Sequence, residues 1–304
     1  MSLKKRNQQH SIRQRLLNLS RQRNEDFQFC LTRYALERFL YRLSKSRHVE
    51  QFVLKGAFLL MAWTNQPYRP TKDLDMLGFG EPAPNILERI TAEICQIEVE
   101  PDGLSFDAGS IEIAEIREGQ NYQGERIRLM ASLGNARVSI QIDIAYGDVI
   151  TPTIETLEYP ALLEMPVARV RAYPKETVVA EKIEASVRLG MQNSRMKDFF
   201  DLLWLSRLFP FEGALLVKAI RATFKRRKTE LPVQVPLFLS NAFASDQVKQ
   251  TQWRAFLRKN NISGMPGELD TVILELNDFL MPPFKYATIN EPFNSHWDAK
   301  GPWL

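Results

Sequence analysis

The clearest structural signal in the sequence is a regular alternation of apolar and polar residues across positions 137–145. The apolar positions of this stretch are Val138, Ile140, Ile142 and Ile144, and the polar positions between them are Ser139, Gln141 and Asp143. Because successive side chains of a β-strand point to opposite faces, the pattern predicts a strand with one buried and one polar face. Weaker patterns at 105–106, 111–116 and 126–133 predict further strands, so this region is expected to form a sheet.

The segments on either side of these strands are predicted to be mainly helical. Helical spacing of apolar residues is found at 11–22, 24–46, 52–63 and 86–98, and again at 176–190, 195–209, 213–228, 247–259 and 269–280. A short strand is predicted at Asp73–Gly78. Pro282 and Pro283 are expected to end the last helix, and the aromatic-rich tail 284–304 is expected to pack back onto the protein.

These elements predict an α+β protein with three regions. A chain of 304 residues is long enough to form more than one structural unit. We expect a basic N-terminal helical arm at 1–50, a mixed-sheet core at 51–158 and a C-terminal helical domain with a packed tail at 159–304. The polar side of the helix predicted at 24–46 carries Arg33, Arg38 and Arg42.

Composition argues against several classes of protein. No apolar run is long enough to span a bilayer, and the basic N-terminus is followed by polar residues rather than by the apolar segment of a secretory signal. The chain has two cysteines, no CxxC pair and three scattered histidines, so zinc sites, disulfides and Cys/His catalysis are poorly supported. We expect a soluble, cytoplasmic protein with no membrane partner.

Positive charge is concentrated at the N-terminal end of the chain. Residues 1–47 contain twelve Lys and Arg and three acidic residues, a charge of +9; the whole chain carries +4, so the remaining residues carry −5. A basic segment beside an acidic body is typical of proteins that bind RNA or DNA phosphates. Basic helices are also often no more than solvated surfaces, so both interpretations stay open at this point.

Two aspartates, Asp73 and Asp75, are separated by one residue in the short predicted strand. They therefore point to the same face, while Leu74 and Met76 point into the core. Adjacent carboxylates repel each other unless a cation neutralises them, and their oxygens are the ligands that Mg²⁺ prefers. Asp143, on the polar face of another strand, is the expected third ligand. The alternative is that this Asp-x-Asp pair is an ordinary turn or surface feature.

Five segments, in this order along the chain, resemble a known family. They are Leu54-Lys55-Gly56-Ala57, Arg69-Pro70-Thr71-Lys72-Asp73-Leu74-Asp75, Ile142-Asp143, Glu181-Lys182-Ile183-Glu184-Ala185 and Arg195-Met196-Lys197-Asp198-Phe199-Phe200-Asp201-Leu202. The ordered set resembles the AbiEii/AbiGii toxin nucleotidyltransferases of the DNA polymerase beta-like superfamily, which act in abortive-infection and toxin–antitoxin systems. The resemblance extends from the region of Asn24 to Phe209, and beyond that it is limited to helical character.

The resemblance implies a nucleotidyltransferase that uses Mg²⁺ or Mn²⁺, held by Asp73, Asp75 and Asp143. The other residues that it implies in nucleotide binding or catalysis are Lys55, Gly56, Thr71, Lys182 and Asp198. Among these, Lys182 is expected to contact the triphosphate and Asp198 to be a further catalytic acid. One departure from the family concerns Ala57, which follows Gly56 where the superfamily often has serine and this family often has glycine. A serine contact to phosphate is therefore missing.

The residues by themselves also allow a structural interpretation of the later motifs. On periodicity alone, Lys182 is an ordinary surface lysine. Asp198 and Asp201 lie one helical turn apart beside apolar residues, where they need partners, and Lys182, Arg195 or Lys197 can supply them. We expect Asp198 to act in the chemistry and Asp201 to be structural.

The resemblance also implies the substrates and partners. A nucleoside monophosphate would be transferred from an NTP to RNA, with the 3′ end of tRNA as the acceptor, and a cognate antitoxin protein is a further expected partner. The RNA contacts predicted in the basic arm are Arg13, Arg15, Arg21 and Arg23. Protein acceptors, small-molecule acceptors and self-modification stay open. The alternative functions are a non-catalytic protein that binds nucleic acid or an antitoxin, and a housekeeping RNA nucleotidyltransferase.

Overall fold

The computed structural model describes residues 3–64, 69–80, 83–117 and 123–304. The chain divides into two compact units: unit 1 is Met1–Gly147 with Glu155–Ala172, and unit 2 is Asp148–Ile154 with Tyr173–Leu304. The helix Leu3–Gln22 packs against the helix Phe27–Lys45, which packs against strands of the sheet, so both helices belong to the same unit as the strands.

Within the described residues, unit 1 contains a seven-stranded mixed sheet and four α-helices. The helices are α1 (Leu3–Gln22), α2 (Phe27–Lys45), α3 (Gly56–Thr64) and α4 (Pro84–Gln96). The strands are β1 (Phe52–Lys55), β2 (Asp73–Gly78), β3 (Leu104–Arg117), β4 (Gln123–Leu133), β5 (Ala136–Tyr146), β6 (Glu155–Tyr159) and β7 (Ala168–Ala172). Their order in the sheet is β3-β4-β5-β2-β1-β7-β6.

The central strand pair of this sheet, β2 and β5, is parallel, whereas β4 and β1 flank the pair as antiparallel neighbours. The apolar residues of β5 are buried, as the alternation in the sequence predicts. Helices α2 and α4 pack in the same unit, α2 against β5 and β7 and α4 against β3. The apolar face of the sheet therefore forms the core of unit 1.

Helix α2 buries its arginines, although the sequence places them on the polar side of that helix. Arg33, Arg38 and Arg42 are 5%, 1% and 6% exposed. Arg38 Nε and Arg42 Nη1 donate hydrogen bonds to Asp102 Oδ2 at 3.2 and 2.6 Å, and Arg38 Nη1 donates to the Pro166 carbonyl at 2.8 Å. A carboxylate and carbonyl oxygens offset the cost of burying the guanidinium groups of Arg38 and Arg42. Arg38 and Arg42 hold α2 within unit 1.

Unit 2, within the described part of the chain, is mainly helical. Its helices are α5 (Lys175–Leu189), α6 (Met196–Leu208), α7 (Gly213–Arg227), α8 (Asn241–Ala244), α9 (Gln247–Lys259) and α10 (Leu269–Ile289). The C-terminal tail packs against these helices: β9 (His296–Trp297) pairs with β8 (Phe211–Glu212), and the buried Trp297 donates its indole N–H to the Ser206 carbonyl at 2.8 Å. None of the described helices has the length and apolar composition of a membrane span.

Two helix predictions were wrong in part. The segment predicted as a helix at 52–63 begins as β1, which pairs with β2 over four residues before Gly56 begins α3. Pro282 and Pro283 do not end the last helix, because both lie inside α10. Pro283 and Phe284 are buried there, and such packing of an apolar face can sustain a helix despite a lost backbone hydrogen bond.

Two of the observed strands, β6 and β7, lie where the sequence pattern predicted neither a helix nor a strand. Strands β6 and β7 pair with each other, and β7 also pairs with β1, which extends the sheet beyond the strands predicted from the sequence. Both strands have only five residues, so their alternation is too short to stand out beside the prolines.

Candidate active site

The three aspartates predicted as metal ligands lie together on one face of the sheet. Asp75 on β2 is the direct register partner of Asp143 on the parallel strand β5. Asp73 lies two residues earlier on β2 and therefore points to the same face. One oxygen from each carboxylate lies within 4.8 Å of the others, and all three side chains are half-buried. We refer to Asp73, Asp75 and Asp143 as the acidic triad.

The acidic triad offers the donor set that a divalent cation requires. Three carboxylate oxygens at this spacing can share one hard cation, and the mutual repulsion of the three charges favours a cation among them. Protein groups already neutralise part of this charge. The Thr71 hydroxyl donates to Asp73 Oδ1, and the Arg126 guanidinium pairs with Asp143. A divalent metal therefore fits the triad.

Position 56 requires glycine for two reasons, its backbone conformation and its closeness to the Asp75 side chain. Its φ is +69°, a left-handed conformation that favours glycine. A Cβ atom at this position would lie 2.7 Å from Asp75 Cγ and closer still to Asp75 Oδ2. The turn between β1 and α3 thus passes directly against the Asp75 carboxylate, and only a hydrogen atom fits between them.

Two other residues predicted to contact the nucleotide also lie beside the triad. Lys55 is the register partner of Asp75 in the antiparallel pair of β1 and β2, so the two side chains share a face of the sheet. Thr71 is buried, and its hydroxyl donates to the Asp73 carboxylate. The structure therefore gives Thr71 a contact that orients Asp73. Its expected contact with a phosphate stays a prediction.

Arg126 on β4 is the residue of this site that the sequence interpretation missed. Its Nε donates to Asp143 Oδ1 at 2.9 Å and its Nη2 donates to Asp143 Oδ2 at 2.7 Å. These hydrogen bonds raise the pKa of Arg126 further above its already high usual value. The signal that could have revealed it is the two-residue turn Gly134-Asn135, which joins β4 to β5 as a hairpin. Such a turn fixes which residues lie opposite each other in the two strands, and in this register Arg126 lies opposite Asp143.

Lys182 and Asp198 lie in unit 2, where they form a buried ion-pair cluster with Asp201. Lys182 Nζ contacts Asp198 Oδ1 at 2.8 Å and Asp201 Oδ2 at 2.6 Å, and Arg195 Nε contacts Asp198 Oδ2 at 2.8 Å. Burial by itself would raise the pKa of Asp198, but the charges of Lys182 and Arg195 lower it below its usual value. The pairing expected on structural grounds is therefore present, and the catalytic roles of Lys182 and Asp198 stay predictions.

The arginines of the predicted RNA-binding arm lie on and just after α1. Arg13, Arg15 and Arg21 are exposed and make no ion pair with any described residue, whereas Arg23 is half-buried. The opposite side of α1 is fixed by the buried residues Ile12 and Leu16. Three of the four arginines can therefore reach an anionic partner without breaking an ion pair within unit 1.

Comparison with known proteins gives one family match and two similar structures. The family model described as nucleotidyl transferase AbiEii toxin, type IV TA system, matches residues 38–275. The structure of JHP933 from Helicobacter pylori has a TM-score of 0.46 and 17% identity, with 84% of this chain and 90% of that chain covered. A candidate nucleotidyltransferase from H. pylori has a TM-score of 0.46 and 16% identity, with 85% and 96% covered. No curated protein matched the chain.

Proposed function

Since the chain belongs to the AbiEii family of toxin nucleotidyltransferases, we propose that it transfers a nucleoside monophosphate from an NTP to the 3′ end of an RNA. We further propose that tRNA is the acceptor, that the reaction needs Mg²⁺ or Mn²⁺, and that the acidic triad binds the metal. The family match spans all three aspartates as well as Lys182 and Asp198.

The observation that carries this proposal is the convergence of the acidic triad from two adjacent strands. Its three carboxylates lie on one face of the sheet, with one oxygen of each within 4.8 Å of the others. An ordinary surface pair of aspartates needs neither a third acid in register nor a glycine packed against one of its carboxylates. Here Asp143 supplies the third acid, and Gly56 packs against Asp75.

The proposed reaction is an in-line displacement at the α-phosphorus of the NTP. The oxygen of an RNA hydroxyl forms the new bond to the α-phosphorus, and the bond from that phosphorus to the oxygen bridging to the β-phosphate breaks. Pyrophosphate leaves, and the hydroxyl proton passes to water. Bound divalent cations supply charge neutralisation and lower the pKa of the attacking hydroxyl. Asp73, Asp75 and Asp143 would hold them, with Thr71 orienting the Asp73 carboxylate.

The remaining chemistry that we propose is electrostatic. Lysine side chains can offset the negative charge that develops on the leaving pyrophosphate. Lys55, beside Asp75 in the sheet, and Lys182, which the family resemblance assigns to the triphosphate, are the proposed contacts. Because Lys182 also neutralises Asp198 and Asp201, its substitution must be assayed for folding and for activity in parallel.

The basic arm supports an RNA acceptor. We propose that Arg13, Arg15 and Arg21 contact phosphates, because they are exposed and make no ion pair with any residue that the structure describes. Binding to a single-stranded RNA end should then weaken with salt, with a slope of about −0.7 per contact. Replacing all three arginines with glutamine should reduce that slope by about 2. A slope that is the same in the variant would contradict a role for the arm.

The direct test uses purified protein, total tRNA, Mg²⁺ and each labelled NTP in turn. The wild type should label RNA with at least one NTP, and Asp73→Ala should not. The matched control is Glu112→Ala, because Glu112 is an exposed acid on β3 of the same sheet and lies outside the triad. Full activity of Asp73→Ala would refute the metal assignment.

Two further arms of this experiment identify the acceptor and the biological role. Periodate destroys the terminal 3′ diol, so oxidised tRNA should not be labelled if the 3′ end is the acceptor. Label in the oxidised tRNA would exclude the 3′ end.

Expression of the wild type should arrest growth, and a neighbouring gene that encodes an antitoxin should restore it. Growth that is unaffected by an active enzyme would favour housekeeping RNA modification.

A further inference from the structure

Arg126 and Asp143 form a two-point ion pair inside the candidate metal site. The two residues are direct register partners on the antiparallel strands β4 and β5. Arg126 donates to both Asp143 oxygens, at 2.9 and 2.7 Å, and the Gln141 amide donates to Asp143 Oδ2 at 3.3 Å. Both oxygens of this triad member are therefore engaged by protein donors.

The register of the sheet places this pair in a row of four charged residues, one on each of four adjacent strands. Across β1, β2, β5 and β4, the residues in line are Lys55, Asp75, Asp143 and Arg126. Two acids thus lie between two bases, and Asp73 adds a third negative charge on the same face. The Arg126 guanidinium supplies Asp143 with the positive charge that a metal would otherwise supply.

We propose that Arg126 is a positioning residue that competes with the divalent cation for Asp143 and thereby sets the metal affinity of the free enzyme. The inference rests on the proposed metal role of the triad. A cation that binds an Asp143 oxygen must displace at least one of the hydrogen bonds from Arg126. The positive charge of the Arg126 guanidinium also repels the cation. Charge-assisted, two-point pairs are among the stronger polar contacts in proteins, so this competition has a measurable cost.

The proposal predicts that loss of Arg126 strengthens metal binding, which is the opposite of the result expected for an ordinary supporting residue. Arg126→Gln should lower the Kd for Mn²⁺, measured without nucleotide by electron paramagnetic resonance, by about tenfold or more. Arg126→Lys keeps the charge but lacks the two-point geometry, so its Kd should fall between those of the wild type and Arg126→Gln.

Arg128 provides a matched control for this titration. It lies two residues from Arg126 on β4, so it shares the same face of the sheet, but it is exposed and makes no ion pair with any described residue. Arg128→Gln should leave the Mn²⁺ affinity at the wild-type value. A gain of the same size in both glutamine variants would mean that the effect is only one of overall charge, and it would overturn the proposal.

The same titration separates failure of this inference from failure of the proposed function. If the wild type binds Mn²⁺ and Arg126→Gln binds it equally or more weakly, the inference is overturned while the metal site stands. If neither protein binds Mn²⁺, the metal role of the triad is overturned as well. Should Arg126→Gln fail to fold, as judged by circular dichroism, the Arg126→Lys titration decides, and an unchanged or raised Kd overturns the proposal.

Discussion

Replacing Gly56 with alanine is expected to reduce activity far more than stability. The backbone cost is that of an alanine at a φ of +69°, which amounts to about 1–2 kcal/mol. The new Cβ would also lie 2.7 Å from Asp75 Cγ, whereas ordinary contacts begin at 3.4 Å, so the Asp75 carboxylate must move. A displacement of a reacting or ligating group by about 1 Å costs about 100-fold in rate.

A matched glycine elsewhere in unit 1 isolates this effect. Gly134 has a φ of +60°, but a Cβ added there would meet only Gln9, at 3.8 Å. Gly134→Ala should therefore lower the free energy of unfolding by a similar amount, about 1–2 kcal/mol, and retain transfer activity. Urea unfolding gives the stability of both variants, and the rate of label transfer to tRNA gives their activity.

Equal activity of the two variants, after correction for the folded fraction, would contradict the effect expected at Gly56. Such a result would mean that Asp75 can move without consequence, and so that its position beside Gly56 does not matter for transfer. A loss of activity confined to Gly56→Ala would instead locate the effect at the triad, because the backbone penalty is shared.

The remaining predictions concern stability. Lys182→Met should lower the free energy of unfolding by about 3–5 kcal/mol, because it removes the ammonium that contacts two buried carboxylates; an unchanged urea midpoint would contradict this. Burial raises the pKa of Glu37 to about 7 from 4.5, so the stability that this group contributes is complete below pH 4.5 and is lost as the pH rises through about 7. Glu37→Gln should remove this pH dependence, about 3 kcal/mol, from thermal unfolding measured between pH 4.5 and 8, and an unaltered profile would count against it. Trp297→Ala should cost about 3–5 kcal/mol, because the buried indole also donates to the Ser206 carbonyl; a loss below 1 kcal/mol would show that the tail adds little.

The parts of the fold that the sequence predicts well are those with strong local periodicity. The β5 alternation and the Asp73–Gly78 strand are both observed, and the α+β class is confirmed. Elements whose boundaries depend on tertiary packing were predicted less well. Helix α10 continues through Pro282 because its apolar face stays buried, and β1 forms within an apolar run because it pairs with β2. Neither cause is visible in a local pattern.

The candidate site shows the same contrast between local pattern and long-range register. The triad could be predicted because Asp73 and Asp75 share a face by local alternation and Asp143 occupies the polar face of a strand. The ion pair of Arg126 with Asp143 depends on which residues lie opposite each other in two strands, and therefore on the turn that joins them. The burial of Arg38 and Arg42 depends on Asp102, which is distant in sequence and offers no periodic signal.

Nucleotidyl transfer at the acidic triad can be tested by following each phosphate of the NTP. Wild type and Asp75→Asn would be incubated with Mg²⁺, total tRNA and an NTP labelled at either the α- or the γ-phosphate. We expect the wild type to place α-label in RNA and γ-label in pyrophosphate, and Asp75→Asn to do neither. Gamma-label in RNA, or equal α-label transfer by both proteins, would contradict nucleotidyl transfer at the acidic triad.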